Sequence, residues 1–116
     1  MVDPTSETVG RNLKMFRTER GLTIERLSTM LEAAGHRIGW SMLSRTERGL
    51  RRATVGDLMA LACALEISPL DLLVPMGDGV TEVSGFGPAP APAIRDWVQV
   101  GGPLEDQLDA HQVIFT

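Results

Sequence analysis

Residues 39–54 read GWSMLSRTERGLRRAT. Glycine brackets a segment from Trp40 to Arg48, little more than two helical turns long at about 3.6 residues per turn. Its apolar content is thin. Met42 and Leu43 are apolar and Thr46 is semi-apolar, so a helix here has a narrow inward stripe and leaves most of its surface free. Four arginines stand in or just after it, Arg45, Arg48, Arg51 and Arg52, with a single acid, Glu47, among them.

That concentration runs against the chain as a whole, whose net charge is −4 over 116 residues. Residues 1–52 hold ten Lys/Arg against six Asp/Glu, a net of +4; residues 53–116 hold one against nine, a net of −8. Such asymmetry points to a polyanion-binding part joined to a part that is not, although a solvated helical surface gives the same count. The length suits one domain with an appendage. Aromatic residues are few, so the core must rest on aliphatic side chains, which favours helix over sheet.

The segments around the quoted stretch read as helices. Residues 6–20 form a first one, capped by Ser6 or Thr5, with Val9, Leu13 and Phe16 on one stripe and Gly21 at its end. Thr23 caps a second, in which Ile24, Leu27, Met30, Leu31 and Ala34 recur at helical spacing up to Gly35. GHRIG, residues 35–39, is a turn. Thr54 caps a fourth helix with Asp57 three residues on, a capping box with Asp in place of Glu. This helix is apolar over most of its circumference and is expected to be the most buried. Ser68-Pro69 with Asp71 opens a short fifth helix over Pro69 to Val74.

After Pro75 the character changes. GPAPAP reads as an extended spacer. Val80 to Val83 and Val98 to Val100 are candidate strands, too short to stand alone. The last residues, QVIFT, are apolar. The tail is read as either unstructured or docked, with the Trp97 region having the stronger reason to be buried. The expected fold is therefore all-α: a five-helix domain over residues 1–75 and a Gly/Pro-rich tail over 76–116, with room for short β segments.

A second and third helix joined by a tight turn, the third sparsely apolar, suggest a helix-turn-helix unit. A DNA major groove about 12 Å wide admits one α-helix, buttressed on one side and bare on the other. Trp40, Ser41, Ser44 and Arg45 supply the bare face, at i, i+1, i+4 and i+5. Arg48, Arg51 and Arg52 follow where the chain would leave the groove and meet phosphates, whose neutralisation supplies most of the affinity of such complexes.

The pieces RGLTIERLSTML, SMLSRTERGLRRAT and DLMALACALEISPLDLL together resemble the lambda-repressor-like, Xre-type helix-turn-helix regulators, most of all an actinobacterial and actinophage subgroup. The resemblance covers residues 9–75. It implies a sequence-specific DNA-binding transcriptional regulator, a repressor working as a homodimer on double-stranded DNA. Base contacts carry over to Trp40, Ser41, Ser44 and Arg45, and phosphate contacts to Thr23, Arg48, Arg51 and Arg52. The resemblance also implies that Arg17 pairs with Glu47, which makes the lone acid structural. Two positions depart from the family pattern. Ile24 stands where a phosphate-binding glutamine is frequent. Trp40 stands where a polar residue is usual, and both a contact to thymine methyl or sugar and packing back on the GHRIG turn remain open for it.

Other readings are plainer. Cys63 reads as a small core residue, and a lone cysteine excludes an internal disulfide. His36 reads as a turn residue near phosphate. There is no glycine-rich phosphate loop, no nucleophile with a base and no metal-ligand spacing, so no enzyme, cofactor or metal is expected. No apolar run approaches the ~20 residues of a membrane span, and MVDPTSET lacks the basic and apolar regions of a signal peptide. The expectation is a bacterial cytoplasmic, nucleoid-associated protein. The alternatives are an antitoxin of the same fold whose acidic tail wraps a basic toxin, and a protein-binding module whose helix-turn-helix no longer engages DNA.

Overall fold

The computed structural model describes residues 3–111. Helices α1 (Pro4–Glu19), α2 (Ile24–Ala33), α3 (Trp40–Glu47), α4 (Val55–Leu65) and α5 (Pro69–Leu73) come first. Strands β1 (Val80–Val83) and β2 (Gly87–Pro90) follow, then helices α6 (Ala91–Val100) and α7 (Leu104–Ala110). The chain divides into two compact units, Met1–Leu73 and Val74–Thr116.

In the first unit every helix except α3, which follows Gly39 with no side-chain cap, begins where a side chain can take up its free N–H groups. Asp3 caps α1 by accepting from Ser6 N, ahead of both caps expected from the sequence, Thr5 and Ser6, because Pro4 is well suited to the first helical turn. Thr23 Oγ1 accepts from Arg26 N at the start of α2. At α4, Thr54 and Asp57 form a reciprocal capping box. Arg20 closes the other end of α4, donating to the carbonyls of Leu65 and Glu66, where the negative end of the helix dipole favours a cation.

The core of this unit is aliphatic. Leu13 of α1, Leu27 and Leu31 of α2, Ile38, Leu43 of α3, Leu61 and Leu65 of α4 and Leu72 of α5 are all fully buried together. Asn12 crosses between helices, its Nδ2 donating to the carbonyls of Asp71 and Leu72 at 3.2 and 3.1 Å. Helix α4 is less buried than its composition suggests. Val55 is 80% and Met59 59% exposed, and Cys63 is exposed as well rather than in the core. The three lie at i, i+4 and i+8, on a stripe turned away from Leu61 and Leu65.

The second unit is where the sequence reading departs most from the structure. GPAPAP is not a spacer. Its first four residues form β2, antiparallel to β1 with Val80 opposite Pro90 and Val83 opposite Gly87. A two-stranded ribbon has only edge strands, so Pro88 and Pro90 remove no essential ladder bond. Val98–Val100 is helical rather than extended, because it completes α6, whose Ile94, Trp97 and Val98 recur at i, i+3 and i+4. These three join Ala89, Ala93, Leu104 and Leu108 in a small core. Trp97 Nε1 donates to Gly102 O at 3.0 Å. Val113, Ile114 and Phe115, part of the apolar terminus noted in the sequence, lie outside the described residues.

Candidate nucleic-acid interface

Helix α3 has two distinct sides. Leu43, Thr46 and Glu47 are buried; Trp40, Ser41, Arg45 and Arg48 are exposed and Ser44 is half-buried. The buried side is fixed from three directions.

The first is α1. Arg17 Nε donates to Glu47 Oε2 at 2.6 Å and Nη2 to Oε1 at 3.0 Å, while Nη1 donates to Leu22 O at 2.6 Å. The pair is largely shielded from water. The hydrogen bond to Glu47 holds the Arg17 guanidinium above its ordinary value, against the opposing effect of burial. Glu47 is thereby engaged inward and the lone acid is not presented beside the exposed arginines. Close by, α1 and α3 approach at Gly10. A Cβ there would lie 2.4 Å from Thr46 O and 2.8 Å from Glu47 O.

The second is the turn before α3. Ser28 Oγ donates to Ile38 O at 2.7 Å, and His36 N donates to Leu31 O at 3.0 Å where Gly35 takes a φ of +83°. The third is the start of α4, where Asp57, 3% exposed, collects several donors. Its Oδ1 lies 2.7 Å from His36 Nε2, and its Oδ2 accepts from Thr54 N at 2.9 Å and lies 3.1 Å from Arg51 Nη2. Burial on its own would push this carboxyl up. The hydrogen bonds from His36 and Thr54 and the charge of Arg51 outweigh it and hold Asp57 below the usual carboxylate range.

Arg51 therefore sits differently from the placement expected of it. Its guanidinium is turned inward onto Asp57 and donates to Thr46 Oγ1 at 3.1 Å, because a buried carboxylate needs a paired cation more than a solvated arginine needs a partner. His36 likewise meets Asp57. Arg45 and Arg48 are exposed, and Arg52, with 73% of its side chain exposed, is only loosely paired with Asp3 at 3.6 Å. Thr23 is exposed, and its capping role uses an acceptor lone pair, which leaves the hydroxyl proton to be donated elsewhere.

The outcome is a helix held rigidly from behind, with a polar and cationic face in front. Residues 13–72 match the model of the Helix-turn-helix family HTH_3.

The chain belongs to the HTH_3 family.

HTH_3 proteins are Xre/lambda-repressor-like DNA-binding transcription regulators, and this chain has their fold. Similar solved structures agree. The restriction-modification controller protein C.AhdI from Aeromonas hydrophila is 30% identical, with 58% of this chain and 94% of that chain covered at a TM-score of 0.52. The clp gene regulator ClgR from Corynebacterium glutamicum is 26% identical, covering 64% and 73% at 0.55. The DNA-binding domain of BldD is 27% identical, covering 63% and 99% at 0.53. No curated protein matches the chain. Among the described residues no helix is long and apolar enough to cross a membrane.

Within this HTH_3 fold, the sequence reading named the outward positions and the Arg17–Glu47 partners but missed the Asp57 cluster. Asp57 was visible only as a cap, since its meeting with His36 is a contact between residues 21 apart. Gly10 was missed too, although a glycine inside a helical pattern is itself a signal of close approach.

Proposed function

We propose that this protein is a sequence-specific transcriptional repressor that inserts α3 into the major groove as a homodimer. The observation that carries the reading is the segregation of α3. Its inward residues are fully engaged in the fold, while Trp40, Ser41, Ser44 and Arg45 are free to face base edges. Thr23, Arg48 and Arg52 flank that face and would take phosphates. Arg51 is given a different role here, holding Asp57 and hence the base of the recognition helix.

Dimerisation follows from size. Specific protein–DNA interfaces bury about 1,000–2,500 Å² of protein surface, and a single small module lies at or below the lower end. Two copies would read half-sites about 34 Å apart, one helical turn. Repression needs no surface beyond DNA binding, because a bound dimer excludes polymerase from the DNA it covers. The protein would act in the bacterial cytoplasm, on the nucleoid.

Selection of bound sequences from random DNA tests the reading in one step. An enriched inverted repeat with half-sites one turn apart is the expected result; no enrichment, with binding indifferent to sequence, would overturn it.

A second reading rests on the Val74–Thr116 unit. From residue 76 onward there are six acids against one arginine, and that arginine, Arg95, is occupied with the carbonyls of Pro75 and Gly77 and lies 3.7 Å from Asp78. Exposed Phe86 and Pro88 line a shallow groove with Leu108 beside Glu105. An acid beside apolar side chains, in a unit with this excess of carboxylates, suits a basic protein partner, as an antitoxin would need. Co-purification of a small basic protein with the full chain, lost on Phe86→Asp, would favour that reading.

A further inference from the structure

Trp40 is the largest exposed apolar side chain on the α3 face, 60% accessible. It is the first residue of α3, preceded by Gly39, which offers no side-chain cap. The neighbouring apolar residues Leu27, Leu31, Ile38 and Leu43 are all buried together, and Trp40 is not among the residues packed on them. It has thus not folded back into the core. No hydrogen bond or ring contact fixes its indole among the described residues. Ser41 and Arg45 stand on the same face and supply the polar contacts.

In the major groove the base pairs present hydrogen-bonding atoms and only one apolar group, the C5-methyl of thymine. An indole facing that groove offers only one hydrogen-bonding group, its N–H donor. Its broad apolar faces find one complement there. Resting on the reading of α3 as a recognition helix, we infer that Trp40 reads a pyrimidine C5-methyl group at one position of each half-site. Thymine and 5-methylcytosine both carry that group.

The test uses the full-length chain and its selected operator. Each thymine is replaced in turn by deoxyuridine, which removes the methyl and keeps every hydrogen-bonding atom, and affinity is measured for the wild type, Trp40→Ala and Trp40→Leu. Loss of one buried methyl should weaken the wild type about three- to five-fold at a single thymine per half-site. Trp40→Ala should bind the thymine and deoxyuridine forms of that site alike, and Trp40→Leu should keep part of the preference. Trp40 is outside the core, so a thermal melt matching wild type shows that Trp40→Ala is folded. A cytosine/5-methylcytosine pair at the same position tells the two sources apart: a gain on methylation shows that the methyl is read on either base, and no gain restricts the reader to thymine. The inference is overturned if the wild type is indifferent to deoxyuridine at every thymine, or if Trp40→Ala keeps the full methyl preference. Failure to select any operator would overturn the regulator reading together with this one, whereas an operator without a methyl effect overturns this one alone.

Discussion

Arg17 and Glu47 meet through two parallel hydrogen bonds, 2.6 and 3.0 Å long, that join the first helix to the end of the third. Two-point pairing of a planar guanidinium with a carboxylate fixes direction as well as distance. Removing one partner leaves the other charge shielded and uncompensated, at about 3–5 kcal/mol. Glu47→Ala should therefore lower stability by about 3 kcal/mol in chemical denaturation and weaken binding to every DNA sequence alike. A variant as stable as wild type would show that the pair contributes nothing net.

Gly10→Ala separates packing from helix propensity. Alanine gains about 1 kcal/mol in a helix interior over glycine. Here its methyl would sit 2.4 Å from Thr46 O and 2.8 Å from Glu47 O, backbone atoms that can yield only by moving α3. Overpacking of this kind costs about 1–3 kcal/mol, so the clash wins and the melting temperature should fall. A rise would mean that the two helices separate without cost.

Acid should act through Asp57. Its carboxyl is held below the usual carboxylate range in the folded chain. A depressed carboxylate contributes stability that is fully present above its unfolded value, near about 4, and is lost as pH falls through the lower folded value. Asp57→Asn should be less stable than wild type at neutral pH. The gap between the two should narrow as the pH falls below about 4. Parallel stability curves down to pH 2 would contradict this.

The arginines should fail in different ways. Arg45→Ala should relax sequence preference at one base pair, worth about 1–3 kcal/mol of discrimination. Arg48→Ala should weaken all sequences equally and flatten the salt dependence by about one unit. Arg51→Ala should lower thermal stability, since it strips a cation from buried Asp57. If melting temperature is unchanged in Arg51→Ala while the salt slope falls, Arg51 is a phosphate ligand after all.

Removal of residues 74–116 should shift sedimentation of the protein from dimer toward monomer and weaken operator binding. The Val74–Thr116 unit has a core of its own, built on Ala89, Ala93, Ile94 and Leu108, and its excess of acids disfavours contact with a polyanion. A truncated chain that sediments and binds as the full one does would assign that unit to a different partner.

The first five helices were legible because each is announced locally: a cap at Thr23, Thr54 or Ser68, glycine at 21, 35 and 49, and leucines at helical spacing. The face of α3 was legible in part: Leu43 and Thr46 are inward and Trp40, Ser41 and Arg45 outward as read, but Met42, counted inward for its apolarity, is exposed, and Ser44 is half-buried. What stayed hidden depends on contacts between distant residues. Nothing near Arg51 announces that Asp57 will turn it inward, and nothing near Cys63 shows which side of an all-apolar helix meets the core. The second unit was legible in part: Val80 to Val83 is the strand expected and Trp97 is packed, but proline and glycine marked GPAPAP as a spacer. A two-stranded ribbon tolerates both, and Val98 to Val100 belong to a helix whose period only Ile94 and Trp97 complete.

The division of α3 into two sides has a consequence for how such a protein changes over time. Leu43, Thr46 and Glu47 answer to the fold, half-buried Ser44 does so in part, and exposed Trp40, Ser41 and Arg45 answer to it hardly at all. Substitutions at these exposed positions can accumulate with little folding penalty, so if they read bases as proposed, a new operator is within reach of a few point mutations. A duplicated copy could drift to a separate set of target genes while its scaffold stays the same. On that proposal Trp40, Ser41 and Arg45 are the first positions to randomise in a library meant to retarget the protein.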